Sequence, residues 1–163
     1  MTPGKGDAVV AEPPFALRSP ARHHSPMTDR QRIAAYGVCV DAHGRVLLAR
    51  AAPSLSMHGR WFLPGGGVDH GEHPTDALHR EMEEEAGLTV VLGPLLDVLS
   101  DVRMLPDGTN LHTVRMVYRV SSWTGTLRAE QNGTTDAVRW VSRDELATLP
   151  LAHYVEDVVE RFL

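Results

Sequence analysis

Four of the five residues from Glu81 to Glu85 are glutamates, with only Met82 among them. Carboxylates three and four residues apart on a helix are neighbours, and each like-charged pair costs a few tenths of a kcal/mol. A run that accepts this repulsion is either a solvated face or a place for a cation. At 100° per residue, Glu81, Glu84 and Glu85 span an arc of about 100°. Leu78 and Met82 lie beside that arc and are the residues expected to pack the helix on a sheet. The acidic arc therefore borders the buried edge, where a merely solvated face would point away from it. Arg80, four residues before Glu84, is placed to hold that carboxylate. Three oxygen ligands on one rigid helix suit Mg²⁺ or Mn²⁺, hard ions that keep positions open for phosphate oxygens.

The glycines Gly65, Gly66 and Gly67 precede this helix and would let the backbone approach phosphate closely. Arg50 and Arg60 flank the glycine loop as candidate phosphate contacts, with plain solvent exposure as the alternative. Trp61, Phe62, Tyr36 and Tyr118 could stack on a nucleobase, although packing is the stronger reading for each, and for Trp140 above all. His70 and His73 have a zinc-like spacing, but no further ligand completes such a site, so they read as solvated loop. Cys39, the one cysteine, sits in an apolar run and reads as a small core residue.

The elements that must position these groups follow from local signals. "IAAYGVCVDAHGRVLLAR" reads as two strands joined by a turn at His43-Gly44, and "WFLPGGG" as a short strand entering a glycine loop. Pro74 at a first helical position and Gly87 at a C-cap bound a helix over Pro74 to Ala86. Two β-rich runs follow, separated by a turn at Pro106-Asp107-Gly108, and then the strand "AVRWV". Ser142 and Glu145 form a capping-box pattern opening a short helix. Tyr154, Val155, Val158, Val159 and Phe162 share one face of a last helix. The expected fold class is α+β, with helices layered on strands.

The 163 residues suit one domain. Residues 1–30 hold five of the eleven prolines and read as a flexible tail, in which His23 and His24 are solvated, and residues 31–163 read as the folded domain. A net charge of −5 without a basic stripe argues against nucleic acid as a partner. No apolar run approaches the roughly 18 residues that span a bilayer, so no membrane partner is expected. With no secretory signal and a single cysteine, a cytoplasmic protein is the economical expectation.

Gly66, Glu72, Arg80, Glu81, Met82, Glu84, Glu85, Gly87 and Leu88 fit without a gap the pattern G-x5-E-x7-R-E-U-x-E-E-x-G-U, where U is bulky and aliphatic. The chain thus resembles the Nudix (MutT-like) hydrolases. Average residue usage would produce such a match at about 10⁻⁹ to 10⁻¹⁰ per starting position. "GRWFLPGG" before the pattern and "DAVRWVSRDELATLPL" after it extend the likeness over residues 31–163. The resemblance implies an α/β/α sandwich with a mixed β-sheet and Mg²⁺-dependent (or Mn²⁺-dependent) hydrolysis of a nucleoside diphosphate linked to another group. It places the metal on Glu81, Glu84 and Glu85, with the Gly66 carbonyl as a further ligand. Metal there would neutralise the diphosphate and lower the pKa of the attacking water. A carboxylate must then accept the proton. Glu81 is one candidate, and Glu130 or Asp136, expected on the loop before the last strand, are the others, each reading first as surface charge. Glu72 is expected to support the metal shell and Glu83 to be a solvated bystander.

The substrate class left open covers nucleoside triphosphates, oxidised ones included, and ADP-ribose or nucleotide sugars. The resemblance also allows a homodimer. Two rival readings use the same fold. A ligand-sensing or protein-binding module should carry a damaged pattern, and this one is intact. An isomerase acting on a prenyl diphosphate would need a cysteine opposite the carboxylates, which "YGVCVD" does not supply convincingly.

Overall fold

The computed structural model describes residues 28–55, 57–130 and 133–163. Among these residues seven strands and three helices follow one another: β1 (Asp29–Val38), β2 (Val46–Ala51), β3 (Trp61–Phe62), β4 (Gly65–Gly67), α1 (Pro74–Ala86), β5 (Leu88–Met104), β6 (Asn110–Gly125), β7 (Thr135–Val141), α2 (Arg143–Leu146) and α3 (His153–Phe162). β1 opens two residues before the boundary expected at 31. The expected tail, His23 and His24 included, otherwise lies outside the described residues.

The strands divide into two sheets, ordered β4-β1-β6-β5 and β3-β2-β7. β1 runs parallel to β6 and antiparallel to β4, so the larger sheet is mixed. The turn after β1 is where expected. Asp41 Oδ1 accepts the backbone N–H groups of His43 and Arg45, and Gly44 takes a φ of 73°. Its consequence differs from a simple hairpin, because β1 and β2 belong to different sheets and only the bridge Val40–Val46 joins them there. The turn carries the chain from one sheet to the other.

Alternation along β1 sets the layers. Ala34, Tyr36 and Val38 enter one core with Tyr154, Val155, Val158 and Val159 of α3. Ala35 and Cys39 enter the other core with Leu78 and Met82 of α1. Helices thus cover both sides of the strands, which is the α+β sandwich expected. Each fully buried aliphatic side chain contributes about 1.5–3 kcal/mol before entropy is counted. Burial pushes the Cys39 thiol up to about 12, in keeping with a core role. Trp140 is half-buried and stacks on Trp123 at 5.0 Å between centroids.

α1 begins and ends for local reasons. Pro74 takes the first turn, where no N–H is needed, and His73 is the N-cap, its side chain accepting the Thr75 N–H at 3.3 Å. His73 is therefore a capping residue, beyond the solvated loop expected for it. Gly87 ends the helix at φ 69°, and its N–H donates to the Glu83 carbonyl. The capping box at α2 is present in both directions, Ser142 to Glu145 and back. The β5–β6 turn closes with Gly108 N–H on the Leu105 carbonyl and Thr109 N–H on Asp107 Oδ1.

Candidate active site

Two carboxylates of α1 reach a cavity of about 220 Å³ whose lining includes Gly65, Gly66, Gly67, Arg32, Tyr36 and Thr134. Glu85 is only 3% exposed. Its Oε2 accepts the Gly65 N–H at 2.9 Å and its Oε1 accepts the Thr134 hydroxyl at 3.3 Å. Burial pushes the Glu85 carboxyl up to about 8; the Gly65 N–H opposes that rise, and the charge of Glu81 adds to it. Burial also raises Glu81, against the pull of Arg80.

The glycine wall is close enough to explain its composition. A β-carbon on Gly66 would stand 2.5 Å from Glu81 Cδ, inside any real contact. Gly65 takes a φ of 134°, and a β-carbon there would meet the Ala35 carbonyl oxygen at 2.2 Å. β4 pairs these glycines with Ala34, Ala35 and Tyr36 of β1, so the sheet itself holds the wall against the helix.

Arg80 organises the acidic end and makes more contacts than the one the helical spacing suggests. Its Nε and Nη2 grip Glu72 with two bonds of 3.0 Å, its Nη1 reaches Glu81 at 2.8 Å, and Nη2 also donates to the Gly67 carbonyl at 3.2 Å. Glu84, the expected partner four residues on, is the longest contact at 3.4 Å. A carboxylate from the preceding loop can meet the planar guanidinium edge-on with two bonds, which a helical neighbour does not do here. Glu72, also fixed by the Asp69 N–H, thus supports the site through Arg80.

Several expected site residues lie elsewhere. The Glu84 side chain is 50% exposed and does not line the cavity. Among the described residues no group of three His, Cys, Asp or Glu stands together in ligating geometry. Of the three expected glutamates, Glu81 and Glu85 line the cavity, and Glu84 shares the Arg80 Nη1 with Glu81. Arg50 is bound to Asp136 at 2.7 Å and lies over the Trp61 ring, away from the cavity. Trp61 is a 6% exposed core residue flanked by Arg50 and Arg139, so packing is its role. Asp136 was expected on a loop but is the second residue of β7, held below the usual carboxylate range by Arg50. Arg60 donates to the Leu151 carbonyl at 2.9 Å and lines a neighbouring cavity. Glu130 does precede β7. It accepts the Thr134 N–H at 2.7 Å and, through the Thr134 hydroxyl, is one bond removed from Glu85. Glu83 is exposed, as expected.

Thr134 and Arg32 escaped the sequence reading. Thr134 belongs to no motif. Arg32 had a signal: it shares strand parity with Ala34, Tyr36 and Val38, so an arginine stood on the inward face of β1. A larger cavity of about 520 Å³ lies between α2 and α3, but none of the glutamates or glycines described above lines it.

The NUDIX domain profile matches residues 30–162. The chain belongs to the Nudix family. Similar proteins include an 8-oxo-dGTP diphosphatase of Proteus vulgaris, 32% identical over 66% of this chain and 92% of that protein. A CTP pyrophosphohydrolase of Escherichia coli (strain K12) is 30% identical over 76% of this chain and 86% of its own length. The crystal structure of a MutT NUDIX hydrolase from Burkholderia pseudomallei superposes with a TM-score of 0.71 at 30% identity, covering 82% of this chain and 99% of that one. This Nudix protein is accordingly a hydrolase acting on phosphorus-containing anhydrides. Among the described residues no helix is long and apolar enough to cross a membrane.

Proposed function

We propose that this Nudix hydrolase is a Mg²⁺-dependent nucleoside triphosphate pyrophosphohydrolase, in which water attacks phosphorus and pyrophosphate is one product. The observation that carries this reading is the convergence of Glu81 and Glu85 on the Gly65–Gly67 wall of one small cavity. A buried carboxylate beside a part-buried one, both with raised pKa values, is a costly arrangement that a hard divalent ion would relieve. The Glu81 carboxylate lies directly on the Gly66 backbone, so Glu81, Glu85 and the Gly66 carbonyl are the groups that would hold it. Glu84 joins them only by turning in from solvent. A divalent cation supplies charge neutralisation for the diphosphate and makes water more acidic.

The chain's own groups do the rest. Glu81 accepts the proton of the attacking water, since it lines the cavity while Glu130 and Asp136 line a neighbouring one. Arg80 fixes the Glu81 carboxylate, and Thr134 with Gly65 fixes Glu85. One oxygen–phosphorus bond forms as the anhydride bond on the same phosphorus breaks. Positioning and electrostatics supply most of the acceleration in such a step. The relatives named for 8-oxo-dGTP and CTP support a triphosphate substrate, and the cytoplasm is the compartment that supplies one.

A nucleotide panel assayed with Mg²⁺, with phosphate and pyrophosphate detected separately, tests the reading. Pyrophosphate from a triphosphate and loss of the rate in EDTA are expected. Turnover confined to ADP-ribose or nucleotide sugars would overturn the substrate class, and an undiminished rate in EDTA would overturn the metal dependence.

A further inference from the structure

Three arginines converge beside the acidic cavity without a carboxylate among the described residues to pair with them. Arg32 lines the Glu81–Glu85 cavity, and a β-carbon on Gly67 would stand 3.8 Å from its Nε and Nη2. Arg60 and Arg103 line a second cavity of about 330 Å³ together with Met57, Ala152 and His153, and Met57 lines both cavities. The two spaces are therefore neighbours along one cleft.

The sheet register places these groups on a single face. Arg32 pairs with Thr113 and Arg103 with Leu111, two residues apart on β6. With strands about 4.8 Å apart and about 3.3 Å per residue, the two Cα atoms lie about 12 Å from each other on the same side of the sheet. Thr113 and Leu111, 1% and 4% exposed, form the floor between them.

Their hydrogen bonds are few. Among the described residues Arg32 donates to the Tyr36 hydroxyl at 3.3 Å, Arg60 donates to the Leu151 carbonyl, and the Arg103 Nε is buried with no partner at all. The unmade Arg103 Nε donor is costly, Arg60 is open to solvent, and a guanidinium has many more donors than these contacts use. Asp101, two residues from Arg103 on the same face of β5, bonds to Arg115 and His153 and makes no ion pair with Arg103. Such a concentration of unpaired cations in a chain of net charge −5 calls for an anion.

We infer that Arg32, Arg60 and Arg103 form an anion subsite that holds a phosphate group of the substrate, running from the Glu81–Glu85 cavity, which Arg32 lines, into the adjoining cavity of Arg60 and Arg103. The cleft then has two poles: the carboxylates with Arg32 at one end, and the Arg60 and Arg103 guanidiniums, which take phosphate oxygens directly, at the other. A substrate with a third phosphate can engage both poles, so the assignment to the substrate rests on the triphosphate reading above. Anion binding itself does not rest on it.

Isothermal titration of inorganic tripolyphosphate into the full chain in EDTA tests the subsite with the divalent cation removed. The wild type should bind, and Arg103→Gln and Arg60→Gln should each weaken binding tenfold or more, with Arg103→Lys retaining part of it. In steady-state kinetics Arg103→Gln should raise KM for the triphosphate about tenfold while kcat stays within a few fold. An unchanged melting temperature separates this outcome from a folding defect. No binding of tripolyphosphate by the wild type, or equal binding by Arg103→Gln and Arg60→Gln, would overturn the subsite even if hydrolysis is normal. Weakened tripolyphosphate binding with unchanged KM would overturn its assignment to the substrate. Arginine-dependent binding in a protein that hydrolyses no nucleotide would sustain the subsite and sink the proposed function instead.

Discussion

Asp136 and Glu145 each face an arginine at 2.7 Å on the surface, whereas Glu81 and Glu85 share one cavity in which only Glu81 touches an arginine. The difference is visible in the acidities. Arg50 holds Asp136 below the usual carboxylate range, and the Ser142 N–H with Arg139 brings Glu145 to about 2. Burial moves Glu81 and Glu85 the other way, Glu85 to about 8. The surface acids have their counter-charge within the chain. Glu85 does not, and Glu81 shares Arg80 with Glu72 and Glu84, so the same fold that completes the first pair leaves the second short of positive charge.

The largest effect that can break this comparison is on turnover. Glu85→Gln and Glu81→Gln should each lower kcat by two or more orders of magnitude with Mg²⁺, since both remove a group made for the loaded site. Glu145→Gln should leave kcat within about twofold, because it lies at the start of α2 and lines neither cavity of the cleft. Steady-state kinetics of the three variants side by side decide it. Near-normal turnover of both cavity variants would remove the special standing given to Glu81 and Glu85.

A smaller effect sharpens the comparison in the metal-free protein. The Glu85 pKa of about 8 lies above its ordinary 4.5, so between those values the folded chain holds a proton that the unfolded chain has lost. Its contribution to stability is full below about 4.5 and is lost as pH rises through about 8. Glu145, brought to about 2, behaves in the opposite sense: its contribution is present above about 4.5 and lost as pH falls toward 2. Thermal melts in EDTA should therefore show a melting temperature that falls from about pH 5 to about pH 9, and Glu85→Gln should flatten that limb alone. Glu145→Gln should flatten only the acid limb. Melts of wild type and Glu85→Gln that decline in parallel above neutrality would show that Glu85 is not the buried acid described here.

How much of this was legible from sequence depended on the range of each interaction. Pro74 and Gly87 act within a turn of their own positions, so both ends of α1 could be read directly, as could the capping box at Ser142 and Glu145. The pattern from Gly66 to Leu88 pointed to Glu81, Glu84 and Glu85, of which Glu81 and Glu85 line the cavity, and their neighbours Leu78 and Met82 indicated that the acidic arc borders the core. The contact of Arg80 with Glu84 was legible because helical spacing is local, while its closer grip on Glu72 depends on how the preceding loop folds back. The pair of Arg50 with Asp136 spans 86 positions and is made only when β2 meets β7. No local signal carries it. The partition of β1 and β2 into separate sheets was equally hidden, since alternation tells which face a residue takes and not which strand lies beside it.

The smallest effect is expected at Asp136, and it tests the comparison from the other side. This carboxylate was a candidate proton acceptor while its place was thought to be a loop. As the second residue of β7 it is fixed in the sheet, bonded to Arg50, and part of the lining of a cavity that contains neither Glu81 nor Glu85. Both partners are substantially exposed, at 40% for the Arg50 side chain and 31% for Asp136. Exposed pairs of this kind contribute about 0.2–1 kcal/mol, and salt reduces that further. Asp136→Asn should therefore lower stability by no more than about 1 kcal/mol, an effect that shrinks at high ionic strength, and should leave kcat and its pH profile unchanged. Denaturant melts at low and high salt together with a pH–rate profile measure both halves. A hundredfold loss of kcat at unchanged stability would make Asp136 the proton acceptor in place of Glu81, and the division between finished surface acids and waiting cavity acids would no longer hold.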